Sequence, residues 1–188
     1  MPGPTRFVGS FTGALPPPTL PEVAFAGRSN VGKSSLLNAL VGVKGLARVA
    51  KTPGRTQAIN LFEVQGRWIA VDLPGYGYAK VSQAMRASWK GLIEGYLGTR
   101  ETLRMVVALL DARLPPQDAD RALLAGLIDA GIPVLPVATK VDALTRGKRQ
   151  ATLDALAKGH GLSGVLGVSS TERIGIDELR GAIERVIR

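Results

Sequence analysis

The sequence predicts an α/β protein of three layers: a mostly parallel sheet with one antiparallel edge hairpin, and helices on both faces. Three observations carry this expectation. Apolar β-type runs alternate with amphipathic helical patterns from Glu22 to the C-terminus, an alternation that buries a parallel sheet on both faces. A Gln65-Gly66-Arg67 turn joins two neighbouring runs as a hairpin. Polar and Gly-bearing loops follow several runs, at the strand ends where open α/β sheets take their ligands.

Residues 1–21 are Pro-rich (Pro16-Pro17-Pro18, Pro21) without clear periodicity and read as an extended lead-in, so the ordered domain is expected over 22–188. Val23–Ala26 is the first strand, and a helix starts after Lys33. Leu61–Val64 and Trp68–Val71 form the hairpin; a helix follows over about Ser82 to Leu97, then the run Met105–Leu110. A helix over about Gln117 to Ala130 leads to the run Pro133–Ala138. A basic helix over about Arg146 to Lys158, a short strand Val165–Val168 and a helix from about Ile176 close the chain, with Asp177 and Glu178 suiting the positive end of the last helix.

Composition narrows the chemistry. The chain has 188 residues with 24 Lys plus Arg against 15 Asp plus Glu, a formal charge of +9, no cysteine and a single histidine. Disulfides, thiolate metal sites, iron–sulfur clusters and cysteine nucleophiles are excluded, as is any mechanism needing two histidines. His160, in Gly159-His160-Gly161, reads as a loop residue without an acidic neighbour. No apolar stretch reaches the roughly 18 residues of a membrane span and no signal core opens the chain, so a cytoplasmic protein is expected. Residues 1–71 hold eight Lys or Arg against Glu22 and Glu63, which suggests a polyanionic partner.

Gly27-Arg28-Ser29-Asn30-Val31-Gly32-Lys33-Ser34 matches the phosphate-binding loop, with a strand before it and a helix after it. Gly27 and Gly32 permit the tight path, successive amides face the phosphates, Lys33 reaches the terminal pair and the Ser34 hydroxyl can ligate magnesium. Asp72-Leu73-Pro74-Gly75 places a carboxylate at a strand end to hold the metal's water shell, and Gly75 offers its amide to a terminal phosphate. These loops make nucleotide hydrolysis the leading class. Thr139-Lys140-Val141-Asp142 closes another run: the Asp142 carboxylate can accept from the ring NH and exocyclic amine of guanine, while the Lys140 stem lies along the base. Ser169 and Ser170, after the last strand, could offer amides to the guanine carbonyl. An ATP-using P-loop enzyme is the alternative that Asp142 argues against.

Together with Thr56, these loops fall in the order and spacing of a small translation-factor-type GTPase. The stretches Pro21–Leu36, Lys51-Thr52-Pro53-Gly54-Arg55-Thr56-Gln57 and Asp72–Ala79 closely resemble the EngB family of bacterial ribosome-assembly GTPases. The resemblance implies a P-loop GTPase that binds GTP and GDP with magnesium, hydrolyses GTP slowly and assists maturation of the large ribosomal subunit through its RNA and proteins, as a monomer off the ribosome. It implies Thr56 as the switch threonine joining Ser34 and Asp72 at the metal, within a mobile loop that contains Gly54 and Arg55. Ser35, with the rest of the P-loop, completes the nucleotide-binding set. A GTP-gated RNA-binding module with incidental turnover is the second reading. Tyr76 stands where many GTPases carry the Gln that orients water, so activation is expected from the Gly75 amide, a ribosomal group, or potassium held by Asn30. The alternative for Asn30 is a loop brace.

Lys44, Arg48, Lys51 and Arg55 supply four cations and no acid between residues 43 and 56, suited either to RNA phosphates or to a solvated charged loop. Arg146, Lys148 and Arg149 read as a solvated helix face, Trp68 and Trp89 as packed in or near the core, and Arg113 as structural and remote from the nucleotide.

Overall fold

A computed structural model describes residues 3–43, 58–76, 91 and 94–188. The expectations for Lys44, Arg48, the loop Lys51–Gln57 with Gly54, Arg55 and Thr56, Trp89 and most of the helix from Ser82 lie outside the described residues.

The strands are β1 (Arg6–Phe11), β2 (Glu22–Gly27), β3 (Ile59–Val64), β4 (Trp68–Asp72), β5 (Leu103–Asp111), β6 (Val134–Thr139) and β7 (Leu166–Gly167). They form one seven-stranded sheet in the order β1-β3-β4-β2-β5-β6-β7. β2 lies at its centre, parallel to β4 and to β5, and all six of its residues are buried. Among the described residues the helices are α1 (Lys33–Val41), a stretch over 94–99 designated α2, α3 (Asp118–Asp129), α4 (Arg146–His160) and α5 (Ile176–Val186), with a 3-10 turn at Val141–Ala143.

Alternate residues of β2 feed different layers, as the two-residue period of a strand requires. Val23 and Phe25 pack with Leu36, Leu37 and Leu40 of α1 and Leu179 and Ile183 of α5. Ala24 and Ala26 face Tyr96 of α2 and Leu127 of α3. α4 lies beside α3 and packs Leu153 and Leu156 against Ala138 and Val141. Trp68 is buried in the α1/α5 layer, as expected.

Two expectations are corrected. The sheet begins at Arg6, within the stretch read as lead-in: β1 runs antiparallel to β3, with a bulge between Phe7 and Gly9. The bulge lets Phe7 pack on one core layer and Phe11 on the other, and the Phe7 ring meets Phe62 at 5.4 Å. Consequently the β3/β4 hairpin does not form the edge; β3 is the strand that runs opposite to its neighbours, with β1 outside it. His160 is the last residue of α4, not a loop residue, because Gly161 takes the left-handed conformation (φ 67) that ends the helix there. It is buried, neither ring nitrogen has a hydrogen-bond partner, and Asp120 is a charged neighbour; burial pushes its pKa down and Asp120 opposes the shift.

Candidate functional site: a nucleotide-binding rim

The sheet delivers four loops to one rim, at the carboxyl ends of β2, β4, β6 and β7. The loop after β2 holds Gly27, Arg28, Ser29, Asn30, Val31 and Gly32, and α1 opens with Lys33, Ser34 and Ser35. Gly32 has φ 103, a backbone closed to ordinary L-residues, and so turns the chain sharply into the helix. The first-turn amides of α1 are thereby presented as an anion cradle.

The phosphate end is closed upon itself. Lys33 Nζ forms an ion pair with Asp72, the last residue of β4, both side chains being nearly buried. Asn60 of β3 lies directly across from Asp72 and donates to Asp72 Oδ2 at 3.2 Å, while its own buried Oδ1 lacks a partner. Sequence reading missed Asn60, because only the strand register brings it to the site. Gly75 lies against Ser29: a β-carbon on Gly75 would stand 3.2 Å from Ser29 Oγ. Main-chain bonds seal the approach, Ser29 N to Tyr76 O at 2.9 Å and Tyr76 N to Gly27 O at 3.3 Å.

The Tyr76 side chain turns toward α3, where its hydroxyl donates to Asp120 Oδ1 at 2.8 Å; burial and the neighbouring carboxylate push the phenol pKa up. Asp120 is itself raised, burial outweighing the Tyr76 hydrogen bond and the Arg28 charge. Arg28 Nη1 donates to Gln117 Oε1 at 3.0 Å, so the P-loop is tied to the start of α3 as well.

The base end is wired to the scaffold. Thr139 Oγ1 donates to Val31 O at 2.6 Å, and Lys140 Nζ to Asn30 O at 2.6 Å and to Asp111 Oδ2 at 2.8 Å. Asp142 sits in the 3-10 turn that follows, half-buried. Ser169 is fully buried; its amide donates to Ile174 O at 2.9 Å and its Oγ accepts from Glu172 N, so its own groups serve the loop. Ser170 is half-buried beside it. Arg113, read as remote, is brought within electrostatic reach of Asp142 and pairs with Asp111 at 2.8 Å. Asp111 was not singled out in the sequence. The signal was present: like Asp72, it is an acid closing a buried apolar run.

For magnesium, the Asp72 carboxylate and the Ser34 hydroxyl are hard oxygen donors of the kind that ion takes. Among the described residues no three His, Cys, Asp or Glu form a metal-holding cluster.

An open, mostly parallel sheet with a Gly-x-x-x-x-Gly-Lys-Ser loop, an Asp-x-x-Gly strand end and a Thr-Lys-x-Asp base loop on one rim defines a P-loop GTPase. The family profile described as "50S ribosome-binding GTPase" matches residues 22–140. The "Probable GTP-binding protein EngB" of Gemmatimonas aurantiaca is 44% identical over 182 residues, 96% of this chain and 89% of the relative. That of Desulfatibacillum aliphaticivorans is 50% identical over 159 residues, 84% and 78% of the two chains. A solved structure described as "Crystal structure of a probable GTP-binding protein engB" superposes with a TM-score of 0.76 at 24% identity, covering 89% of this chain and 98% of that one, and so speaks to the fold. The chain belongs to the EngB family of GTP-binding proteins.

Proposed function

We propose that the protein is a magnesium-dependent GTPase of the cytoplasm that hydrolyses GTP to GDP and phosphate slowly and acts as a switch in assembly of the large ribosomal subunit. The observation that carries the nucleotide reading is the convergence of Lys33, Asp72, Thr139 and Lys140, from three loops, around the P-loop backbone. The assembly role is supported by the description of the matching family and by the chain's excess positive charge. No helix among the described residues is long and apolar enough to cross a membrane.

In this reading Lys33 leaves Asp72 for the nucleotide's terminal phosphates, and Asp72 turns to the water shell of magnesium with Ser34 and Thr56. Magnesium, when bound, neutralises charge on the phosphate oxygens. Gly75 gives its amide to the γ-phosphate, after the bonds joining Tyr76 to Gly27 and Ser29 loosen. Asp142 reads guanine, the Ser170 amide faces the guanine carbonyl, and the stem of Lys140 lies along the base. Gly54 and Arg55 complete the nucleotide-binding set beside Thr56. Tyr76 cannot orient water while its hydroxyl is held by Asp120, so intrinsic turnover is slow and relies on the Gly75 amide, a ribosomal group, or potassium at the Asn30 amide. The partner is the large-subunit precursor, through RNA and protein contacts, with the free protein a monomer.

That same engagement of Tyr76 favours a second reading, a GTP-gated ribosome-binding module with incidental turnover. Co-sedimentation with ribosomal subunits under GTP, GDP and no nucleotide tests the role: GTP-dependent retention on large subunits is expected, and equal retention in all three conditions contradicts it. Completion of subunit maturation with a nonhydrolysable analogue as well as with GTP would select the second reading.

A further inference from the structure

Asn30 (φ 65) in the P-loop and Lys140 (φ 62) at the head of the base loop are non-glycine residues with left-handed backbones. Such conformations persist where the surroundings over-determine them. Here one ammonium joins the two: Lys140 Nζ donates to Asn30 O at 2.6 Å and to Asp111 Oδ2 at 2.8 Å. Asp111 ends β5 in register with Thr139 of β6, so the sheet itself delivers its carboxylate beneath Lys140. Arg113 grips the same carboxylate, its Nε to Oδ1 at 2.9 Å, its Nη2 to Oδ2 at 2.8 Å and its amide to Oδ1 at 3.1 Å. The Asp111 side chain is only 9% exposed and that of Arg113 51%, which makes Asp111 a buried anchor with a cationic cover.

We propose that Asp111 is a positioning residue of the nucleotide site, holding the Lys140 ammonium against the Asn30 carbonyl so that base loop and P-loop bend are set relative to each other before nucleotide arrives. The inference rests on the guanine-nucleotide reading above. Asp111 carries the countercharge that keeps the ammonium in place, and a charge-assisted pair in a half-buried setting is stronger than a neutral bond. An amide in its place accepts from one cation and turns its NH2 toward the other. Lys140 then loses its fixed end, and the turn carrying Asp142 loses its fixed start.

Displacement of fluorescent GDP by GDP, GTP and IDP, on the full chain, tests the inference. Asp111→Asn weakens GDP and GTP by the same factor, about tenfold, because Asp111 acts at the base side and not at the γ-phosphate. It also narrows the preference for GDP over IDP, which lacks the exocyclic amine that Asp142 reads. In a Lys140→Met background Asp111→Asn causes no further loss, since its action passes through the ammonium; with Lys140 in place, Asp111→Glu keeps most of the wild-type affinity. Affinity within twofold of wild type overturns the inference, and so does a loss that simply adds to that of Lys140→Met. Thermal melts accompany each variant; if Asp111→Asn does not fold, Arg113→Gln takes its place, with an expected two- to threefold loss that likewise vanishes in Lys140→Met, and a loss that persists there overturns the inference. Wild-type protein that binds no guanine nucleotide contradicts the functional reading itself, whereas normal wild-type binding with an indifferent Asp111→Asn contradicts this inference alone.

Discussion

The two ends of the rim are built differently. At the base end Thr139 and Lys140 are bonded to main-chain carbonyls of the P-loop and Lys140 also to the half-buried Asp111, groups that need not move when nucleotide enters. At the phosphate end Lys33 and Asp72 satisfy each other, and the Gly75-Tyr76 segment is zipped onto the P-loop. In the proposed reading the base end is therefore a preset reader, while at the phosphate end internal partners hold the groups that phosphate and metal would take. Two aspartates, Asp120 buried and Asp111 half-buried, mark the contrast. Burial raises Asp111, but Arg113 and Lys140 outweigh it and hold the carboxyl well below the usual range; Asp120, with a Tyr76 hydroxyl bond and a more distant Arg28 charge, stays raised.

The largest effect is expected from Lys33→Ala, which removes the ammonium paired with Asp72 and, in the proposed reading, the one that reaches the phosphates. GTP and GDP affinity should both fall roughly 100-fold or more, read by fluorescent-nucleotide titration; a loss confined to GTP would mean that Lys33 acts only at the terminal phosphate. Next comes Asp142→Asn, expected to cost about 2–3 kcal/mol in guanine nucleotide binding and to bring in xanthosine nucleotides, whose second carbonyl suits an amide donor. Retained GTP affinity without xanthosine nucleotide binding would remove Asp142 as the base reader.

A middling effect is expected at Asn30. Potassium should raise GTP turnover several-fold over sodium, and Asn30→Ala should abolish the difference while sparing GTP binding, as measured by phosphate release; equal rates in the two salts would leave Asn30 a loop brace whose carbonyl holds Lys140.

The smallest concerns pH and the two aspartates. A raised folded pKa means that the folded state binds more protons than the unfolded one between about pH 3.9 and that value, so wild-type stability declines as pH rises through this window. Asp120→Asn keeps an acceptor for Tyr76 and should remove that decline, appearing as a higher melting temperature at pH 7 that vanishes near pH 3.5. Asp111 has the opposite sign: its contribution is complete above about pH 3.9 and is lost only as pH falls further, through its lowered value. A variant with an unchanged slope between pH 4 and 7 would place that decline elsewhere.

The elements that the sequence announces are those with a local cause. Gly27, Gly32 and Lys33 spell the P-loop because its path needs those residue types, and β2, β5 and β6 appear as apolar runs because both sheet faces are covered. β1 was hidden: its six residues alternate weakly between exposed and half-buried, and its partner β3 lies some fifty residues on. Asn60 was hidden for a related reason, since it gains its role from Asp72, the residue opposite in the neighbouring strand, while Asp111 gains its role from Lys140, which follows its register partner Thr139. His160 was misplaced because Gly159 and Gly161 look like a turn, yet only Gly161 ends the helix.

Equilibrium displacement of fluorescent GDP by GDP and ADP, in magnesium and without ribosomes, tests the preset base reader most directly. ADP offers the same two phosphates to the P-loop but leaves Asp142 without its paired donors, so only the base end tells the two apart. GDP should compete at least ~100-fold better than ADP, whereas ADP within tenfold of GDP would contradict a base loop built for guanine.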